Sequence, residues 1–432
     1  MKVAVIGAGW AGLAAAVAAT QAAHAVTVFE ATRSLGGRAR SLQVELPDGS
    51  TAMLDNGQHI MIGAYVQTLA LMHQVGAEPA QAFLAMPLTL RFPDGAGLAL
   101  PPWTAPLDVA WGIAAARGWS WRDKASLLRT AMHWQLSRYQ CAPMESVARL
   151  CRGLTPRVMA ELIDPLCLSA LNTPPARASG QVFLRVLRDA LFGKGYGGWG
   201  GSNLLLPRRD LGRMFPDAAM QWLVQRGVTL LMGQRVESLA AATPGWLVDG
   251  QMFECVILAC PPWEAASLVQ RCGAEAAQWL RCTQALEHEA IATVYATSGR
   301  QLAWPMLALH SSPHAPAQFV FDRGQLGGPR GLLAFVVSAG QADRATVQRQ
   351  VMAQAHALGW HDVQPAQTVI EKRATFACLP GVQRPSIAIA PGLLACGDYL
   401  EGPYPATLEG AVRSALQAVA LLDAPGSGPA PK

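Results

Sequence analysis

Charged residues are scarce in this sequence of 432 residues. Asp, Glu, Lys and Arg make up 15% of it, against about 25% in an average soluble protein, whereas hydrophobic residues make up 51%. A disordered chain has the opposite balance, so the composition excludes that class. The net charge of +5 is spread thinly, and nucleic-acid binding is not expected. The mean hydropathy of +0.21 indicates a large core or an apolar surface that faces a lipid-like partner.

Two further patterns are missing. None of the nine cysteines belongs to a C-x-x-C pair, so we expect reduced, buried thiols in a cytosolic protein, and no metal site. After residue 23 no stretch holds about 20 uninterrupted apolar residues, and we predict no transmembrane helix. The uncharged stretch 3–23 has the length of a membrane span, but its three glycines and the pattern described next argue against one.

The first 30 residues combine a strand, a glycine turn, a helix and a second strand. A β-branched run at residues 2–6 is typical of a buried parallel strand. Gly7 permits a tight turn, Gly9 lets the backbone approach a pyrophosphate, and Gly12 lets the helix pack on the strand. Glu30 closes the second strand and is expected to accept hydrogen bonds from adenosine ribose hydroxyls, which disfavours NADP. The pattern predicts a Rossmann-like, dinucleotide-binding domain.

A glycine pair and an arginine follow the second strand. This segment resembles the second fingerprint of the FAD-dependent amine oxidase and phytoene desaturase superfamily. The resemblance implies that the backbone of Gly37 approaches the cofactor and that Arg38 pairs with a phosphate. It also implies that residues 55–59 run past the flavin ring, so that Gln58 and His59 lie near the isoalloxazine.

The C-terminal segment 397–414 resembles the closing motif of the same superfamily, a Gly-Asp pair followed by a helix. The resemblance implies that Asp398 reaches the ribitol or pyrophosphate of FAD. It places the start of the helix, at Thr407 and Leu408, against the flavin O2, where the dipole stabilises anionic reduced flavin. In mid-chain, Val236 matches the residue that contacts the adenine.

The expected fold class is therefore α/β, with an α+β substrate domain of mixed sheet and helices. The FAD-binding domain is predicted to be discontinuous and to comprise residues 1–85, 205–265 and 386–432. The substrate domain takes up the two insertions, 86–204 and 266–385. The Pro-, Gly- and Ser-rich tail 424–432 is predicted to be disordered.

Four segments together look like the bacterial hydroxysqualene dehydroxylases, also called squalene-associated FAD-dependent desaturases. They are residues 55–59, 164–179, 203–212 and 371–376. The resemblance covers residues 1 to about 422, and it implies non-covalent FAD and reduction of the long isoprenoid hydroxysqualene to squalene, on the route to hopanoids or sterols. Because the sequence shows no NADPH fingerprint, the reductant is expected to be external.

Three alternatives stay open. An oxidative carotenoid or phytoene-type desaturase uses the same fold with the opposite electron flow, and an amine or porphyrinogen oxidase is a second alternative. A non-catalytic flavin-binding lipid carrier at the membrane is the third. For the dehydroxylase, the candidate catalytic proton donors are His59, Lys372 and Tyr404. Lys372 is also consistent with a solvated lysine between two charged neighbours.

The segment Trp103–Tyr139 holds five tryptophans and five basic residues. Tryptophan and arginine on helices are typical of a protein surface that binds the membrane interface. The segment therefore predicts peripheral contact with the inner face of the cytoplasmic membrane. A helical cap with its tryptophans in the core is the alternative.

Overall fold

The computed structural model describes residues 1–103, 105–340 and 343–423, so the predicted disordered tail lies outside it. The helices are α1 (Trp10–Gln21), α2 (Val66–Gln74), α3 (Pro79–Ala82), α4 (Leu107–Ala114), α5 (Trp121–Leu136), α6 (Val147–Leu150), α7 (Pro156–Val158), α8 (Asp164–Leu171), α9 (Gly180–Phe192), α10 (Leu211–Met214), α11 (Pro216–Val224), α12 (Pro262–Arg271), α13 (Ala277–Gln284), α14 (Arg344–Ala357) and α15 (Leu408–Leu422), with a π-helical turn at Met159–Ile163 and a 3-10 turn at Arg323–Leu326.

The strands are β1 (Lys2–Ile6), β2 (Ala25–Glu30), β3 (Ser41–Glu45), β4 (Thr51–Asp55), β5 (Met61–Ile62), β6 (Phe83–Met86), β7 (Thr89–Arg91), β8 (Gly97–Ala99), β9 (Leu204–Pro207), β10 (Thr229–Met232), β11 (Leu239–Ala242), β12 (Gly245–Val248), β13 (Gln251–Phe253), β14 (Cys255–Leu258), β15 (His288–Thr297), β16 (Met306–Ala308), β17 (Phe319–Asp322), β18 (Leu332–Ser338), β19 (Gln364–Phe376), β20 (Ala388–Ala390) and β21 (Leu393–Ala395).

The first layer is a six-stranded sheet in the order β10-β2-β1-β14-β21-β20. Its first five strands are parallel, and β20 runs antiparallel at the edge. The central strands β1 and β14 are almost wholly apolar because both of their faces are covered. Helix α1 packs with α11 and α15, and the meander β11-β12-β13 contacts β1 and β14.

The strands of this sheet come from three separate parts of the chain, which confirms the α/β class with a Rossmann-like layer. The intervening segments hold an antiparallel sheet in the order β16-β17-β18-β15-β19 and most of the remaining helices. The domain boundaries given above stay a prediction.

Alternation along the second sheet separates its two faces. On β18, Phe335 and Val337 belong to a small core that α14 covers, whereas Val336 and Ser338 face the opposite side. Because successive side chains point to opposite faces of a strand, one face of this sheet packs against α14 and the other face lines a cavity. Within the described residues, no helix combines the length and apolar character that a membrane crossing requires.

Candidate functional site

A cavity of about 500 Å³ lies between the two large sheets. It begins at the carboxyl ends of β1 and β14, where the strand order of the parallel sheet reverses and where open α/β sheets bind their ligands. One end is polar and is lined by Gly7, Gly9, Glu30, Arg38 and Asp398; the other is mostly apolar and is lined by Leu168, Ile291, Phe319, Phe321 and Val336.

The three glycines of the first turn are required for different reasons. Gly7 has φ +115°, and a Cβ on it would lie 2.7 Å from the carbonyl oxygen of Ala259. A Cβ on Gly12 would lie 1.8 Å from the oxygen of Gly7, so close packing of α1 on β1 demands glycine. Gly9 has φ −74°, and its nearest protein atom would be 3.9 Å from the added Cβ. The protein itself therefore accommodates a side chain at Gly9, and the open space beside it fits the close approach of a pyrophosphate.

Glu30 is positioned by its own neighbours. Its Oε2 accepts the N–H of Ala8 at 2.7 Å, and its Oε1 accepts the N–H and the hydroxyl of Thr32, both at 2.8 Å. A carboxylate has about four lone-pair sites, so about one remains for a ribose hydroxyl. Val236, in the connection between β10 and β11, lines the cavity near this carboxylate, as expected for an adenine contact. The assignment of Glu30 and Val236 to the adenosine stays a prediction.

Arg38 pairs with a protein carboxylate, and its expected contact with a phosphate stays a prediction. Its guanidinium forms a bidentate pair with Asp398 and donates to the carbonyl oxygen of Ala374 at 2.7 Å. Three of its five N–H groups are thus engaged, and two remain for a phosphate. Burial opposes the charge, but Asp398, with Glu371 and Tyr399, raises the pKa of Arg38 above its ordinary value. The sequence motifs treat the two residues as separate cofactor ligands, whereas the fold couples them.

The second glycine fingerprint lies directly beside the first. Gly36 forms an isolated β-bridge with Gly9, and Gly37 has φ +61°, with its backbone against the Cα of Gly9. Both glycines line the polar end of the cavity.

Helix α15 begins at the same end of the cavity. Thr407 is its N-cap: the hydroxyl accepts the N–H of Gly410 at 3.0 Å and donates to the oxygen of Tyr404 at 2.8 Å. Thr407 and Leu408 line the cavity, and their contact with the flavin stays a prediction. Sequence reasoning missed Glu409, which is fully buried and accepts the N–H and the hydroxyl of Thr68 at the start of α2. This acid fixes one helix start to the other.

Gln58 and His59 line the cavity after β4. The amide of Gln58 is held by Arg323, which donates to its Oε1 at 3.3 Å. The Nδ1 of His59 lies 2.7 Å from the carbonyl oxygen of Gly57. Because that oxygen only accepts, Nδ1 carries the hydrogen and Nε2 of the neutral ring is an acceptor. Burial and Arg38 lower the pKa of His59, so the geometry favours an acceptor over the proton donor considered above.

The other two candidate proton donors lie away from the cavity lining. Lys372 is exposed on β19, and the residues of that strand that line the cavity are Glu371, Ala374 and Thr375. Tyr404 is buried behind the lining, where its ring meets that of Tyr65 edge to face and lies under the guanidinium of Arg413.

The fold brings a polar pair to the apolar end instead. Asn172 follows α8, and its Oδ1 accepts the N–H of Ala339 at 2.8 Å. Its Nδ2 therefore points at Thr375 and donates to the hydroxyl oxygen at 2.9 Å. The hydroxyl proton of Thr375 is left to donate elsewhere, and both residues line the cavity. Contact between residues 203 positions apart carries no local sequence signal.

The tryptophans of the segment Trp103–Tyr139 fall into two groups. Trp119 and Trp134 are buried, and Trp119 Nε1 donates to Glu161 at 2.7 Å, as in a core cap. Trp103, Trp111 and Trp121 are exposed, the last by 86%. Trp103 precedes α4, Trp111 lies on α4 and Trp121 on α5. We call these three tryptophans and the exposed apolar residues of the two helices, Leu107, Leu128, Met132 and Leu136, the α4–α5 face.

Comparison with known proteins agrees with this architecture. The family model described as flavin containing amine oxidoreductase matches residues 10–422. Proteins named hydroxysqualene dehydroxylase from Sinorhizobium fredii and Rhodopseudomonas palustris are 27% and 26% identical, over 96% and 98% of this chain and 97% and 98% of their own lengths. A crystal structure titled as an oxidoreductase from Methanosarcina mazei superposes with a TM-score of 0.73 at 16% identity, covering 97% of this chain and all of that one. The chain thus belongs to the flavin containing amine oxidoreductases and is an FAD-dependent oxidoreductase.

Proposed function

We propose that this protein reduces hydroxysqualene to squalene on the route to hopanoids or sterols. The observation that carries the proposal is the cavity itself, because one continuous space joins the polar end that fits FAD to an apolar end that fits a hydrocarbon chain. The full-length similarity to proteins named hydroxysqualene dehydroxylase supports the same substrate class.

The overall reaction replaces a hydroxyl group on carbon by hydrogen. The carbon–oxygen bond breaks, the oxygen takes a proton and leaves as water, and the carbon receives a hydride. Bound reduced FAD would supply that hydride, and an external reductant would restore it. The apolar walls, which include Phe319, Phe321 and Val336, exclude water from the carbon centre and thereby disfavour its capture by solvent.

The Asn172–Thr375 pair is the polar feature that we assign to the substrate hydroxyl. Asn172 Nδ2 donates a hydrogen bond to the hydroxyl oxygen of Thr375. The hydroxyl of Thr375 can therefore donate its own proton to an acceptor at the apolar end. A substrate oxygen held there lies in an otherwise apolar chamber, as orientation of a long isoprenoid requires. Replacement of Thr375 by Val keeps the shape of the side chain and should lower turnover without loss of FAD.

Product analysis under anaerobic conditions tests the proposal. Dithionite-reduced protein is incubated with hydroxysqualene, and oxidised protein with phytoene. Squalene from the first incubation supports the proposal. Desaturated phytoene from the second, with no squalene from the first, supports the carotenoid-type desaturase, and no product from either supports the flavin-binding carrier.

We also propose that FAD is held without a covalent bond. The polar end offers backbone groups and charged side chains to the cofactor, in the manner of a Rossmann site. Acid precipitation should therefore release the yellow chromophore into the supernatant, and a pellet that keeps the flavin would contradict this.

We further propose that the α4–α5 face contacts the membrane. Its exposed tryptophans and leucines are accompanied by the exposed Arg117, Arg122, Arg129 and Arg138. Buried apolar area and attraction to anionic lipid add in interfacial binding. The face would place the protein at the surface of the cytoplasmic membrane, where a squalene-like substrate partitions.

A liposome pelleting assay tests the membrane proposal. The triple variant Trp121→Ser, Leu136→Ser and Arg122→Glu should move from the pellet to the supernatant with phosphatidylglycerol vesicles. The matched control Trp304→Ser removes a tryptophan that is 45% exposed outside this face and should still pellet. Wild-type binding should weaken with salt. Trp119 is unsuitable for the test because it is part of the core. A triple variant that pellets like the wild type contradicts the proposal.

A further inference from the structure

A buried tyrosine at the polar end of the cavity has a hydroxyl without a partner. Tyr399 follows Asp398 directly, lines the cavity and is 2% exposed. Within the described part of the chain its hydroxyl makes no hydrogen bond. A buried hydroxyl that leaves water without a new partner costs free energy, so such a group indicates a partner outside the protein chain.

The ring of Tyr399 is fixed in place. A Cβ on Gly397 would lie 2.6 Å from the ring carbon Cε1, so the ring packs directly on that glycine. Gly397 is in turn held to α15, since its N–H donates to Ser414 Oγ at 2.9 Å and its oxygen accepts from the same hydroxyl at 3.0 Å. The Tyr399 ring therefore packs on a glycine that is hydrogen-bonded to the middle of α15, which pre-positions the hydroxyl.

The surroundings of the hydroxyl keep it protonated. Burial, and then Cys260, Cys396 and Asp398, hold the pKa of Tyr399 well above its ordinary value, with Arg38 opposing. The phenol thus stays neutral and is available as a donor. Cys260 comes directly after Ala259, whose carbonyl lies against the Gly7 turn.

We propose that the Tyr399 hydroxyl donates a hydrogen bond to the pyrophosphate of FAD. The pyrophosphate is the part of a dinucleotide that lies at the glycine turn of a Rossmann site, and an anionic oxygen is the strongest acceptor for a neutral phenol. Arg38 lines the same end of the cavity and keeps two N–H groups free, so it is available to the same anionic group. This assignment rests on FAD binding alone and is independent of the substrate proposed above.

Tyr399→Phe tests the proposal with two readouts, because it should weaken FAD binding without destabilising the apoprotein. The dissociation constant of FAD for the apoprotein, from flavin fluorescence quenching, should rise about tenfold. The thermal midpoint of the apoprotein should stay equal or rise, because the variant removes an unpaired polar group. The affinity for ADP should fall by the same factor as the affinity for FAD. Adenosine, which lacks the pyrophosphate, should bind equally to the wild type and to Tyr399→Phe.

Tyr295→Phe is the matched control. The Tyr295 hydroxyl is equally buried but donates to the backbone carbonyl oxygen of Asp55 at 2.8 Å. Tyr295 does not line the cavity. It should lower the apoprotein midpoint and leave FAD affinity within about twofold. An FAD affinity of Tyr399→Phe within about twofold of wild type overturns the proposal. A loss of FAD affinity together with a lower thermal midpoint of the apoprotein also overturns it. So does a loss of FAD affinity with the affinity for ADP unchanged.

Discussion

The two ends of the cavity are built by different means. At the polar end each residue meets a requirement that few residue types satisfy: Gly7 has a positive φ, Gly12 touches backbone, and Glu30 accepts from two backbone N–H groups. At the apolar end Phe319, Val336 and their neighbours supply only volume and apolarity.

This difference explains what a sequence can reveal. A residue with a specific task leaves a motif, whereas a hydrocarbon chamber tolerates many volume-conserving exchanges. The glycine turn and Glu30 thus predict a dinucleotide from residue types alone, whereas FAD and the proposed substrate follow from resemblance. The predictions below separate the two ends, from the largest expected effect to the smallest.

Two glycine variants separate the demands of the fold from those of the cofactor. Gly12→Ala should destabilise the protein by ~3 kcal/mol or more, because its Cβ meets the oxygen of Gly7 at 1.8 Å. Gly9→Ala should change the unfolding free energy by less than ~1 kcal/mol and yet abolish FAD retention. Urea unfolding of the apoproteins and flavin content after dialysis measure both. Equal destabilisation by the two variants would contradict the distinction.

Glu30→Ala should raise the dissociation constant of FAD by about 10- to 100-fold, since hydrogen bonds to a charged acceptor contribute ~1.5–3 kcal/mol. Glu254→Ala is the matched control. Its carboxylate also accepts a backbone N–H, that of Lys2 at 2.6 Å, but lies outside the cavity lining. Fluorescence titration with FAD should show lower affinity in Glu30→Ala and unchanged affinity in Glu254→Ala. Unchanged FAD affinity in Glu30→Ala would count against the adenosine placement.

Neighbouring valines on β18 test the apolar end. Val336→Phe places extra volume in the cavity and should lower kcat/KM for hydroxysqualene by about tenfold, with FAD content unchanged. Val337→Phe places the extra side-chain volume in the small core under α14. This variant should lower the thermal midpoint instead of kcat/KM. If Val336→Phe loses FAD, the two ends are not separate.

The smallest effect concerns a buried acid outside the cavity lining. Burial raises the pKa of Asp55 to about 7, against 3.8 ordinarily, although its carboxylate accepts the N–H of Leu211 at 2.7 Å. The folded state thus holds a proton that the unfolded state releases. The contribution of this carboxyl to stability is complete below about pH 4 and is lost as the pH rises to about 7.

Asp55→Asn removes this titration and keeps an oxygen for Leu211. The unfolding free energy of the wild type relative to the variant should therefore fall by ~1–3 kcal/mol between about pH 5 and about pH 8. Urea unfolding at the two pH values measures it. A relative stability that rises with pH would show that Asp55 is ionised in the folded protein.

Local patterns predicted the local structure well. The first strand, the glycine turn and α1 follow from residues 2–21. The α/β class and FAD are confirmed for the same reason, since each depends on contiguous motifs.

Long-range pairing set the limit of prediction. Arg38 and Asp398 are 360 positions apart in the sequence, and Asn172 and Thr375 are 203 apart. No local sequence pattern signals either contact. The residue type of Lys372 suggests a proton donor, but the side chain is exposed on β19, whereas Glu371, Ala374 and Thr375 of that strand line the cavity. Trp119 and Trp121 differ in burial although they are two residues apart: Trp119 donates a hydrogen bond to the buried Glu161, whereas Trp121 begins α5 in an exposed position.

The central claim is that one cavity holds reduced FAD beside an isoprenoid alcohol. Protein reduced anaerobically to completion, freed of excess reductant and mixed with hydroxysqualene, tests it most directly. The visible absorbance of oxidised flavin should return in step with squalene, in equal amounts, and Val336→Phe should slow both together. Flavin that stays reduced in the presence of hydroxysqualene, or returns without squalene, would contradict the account.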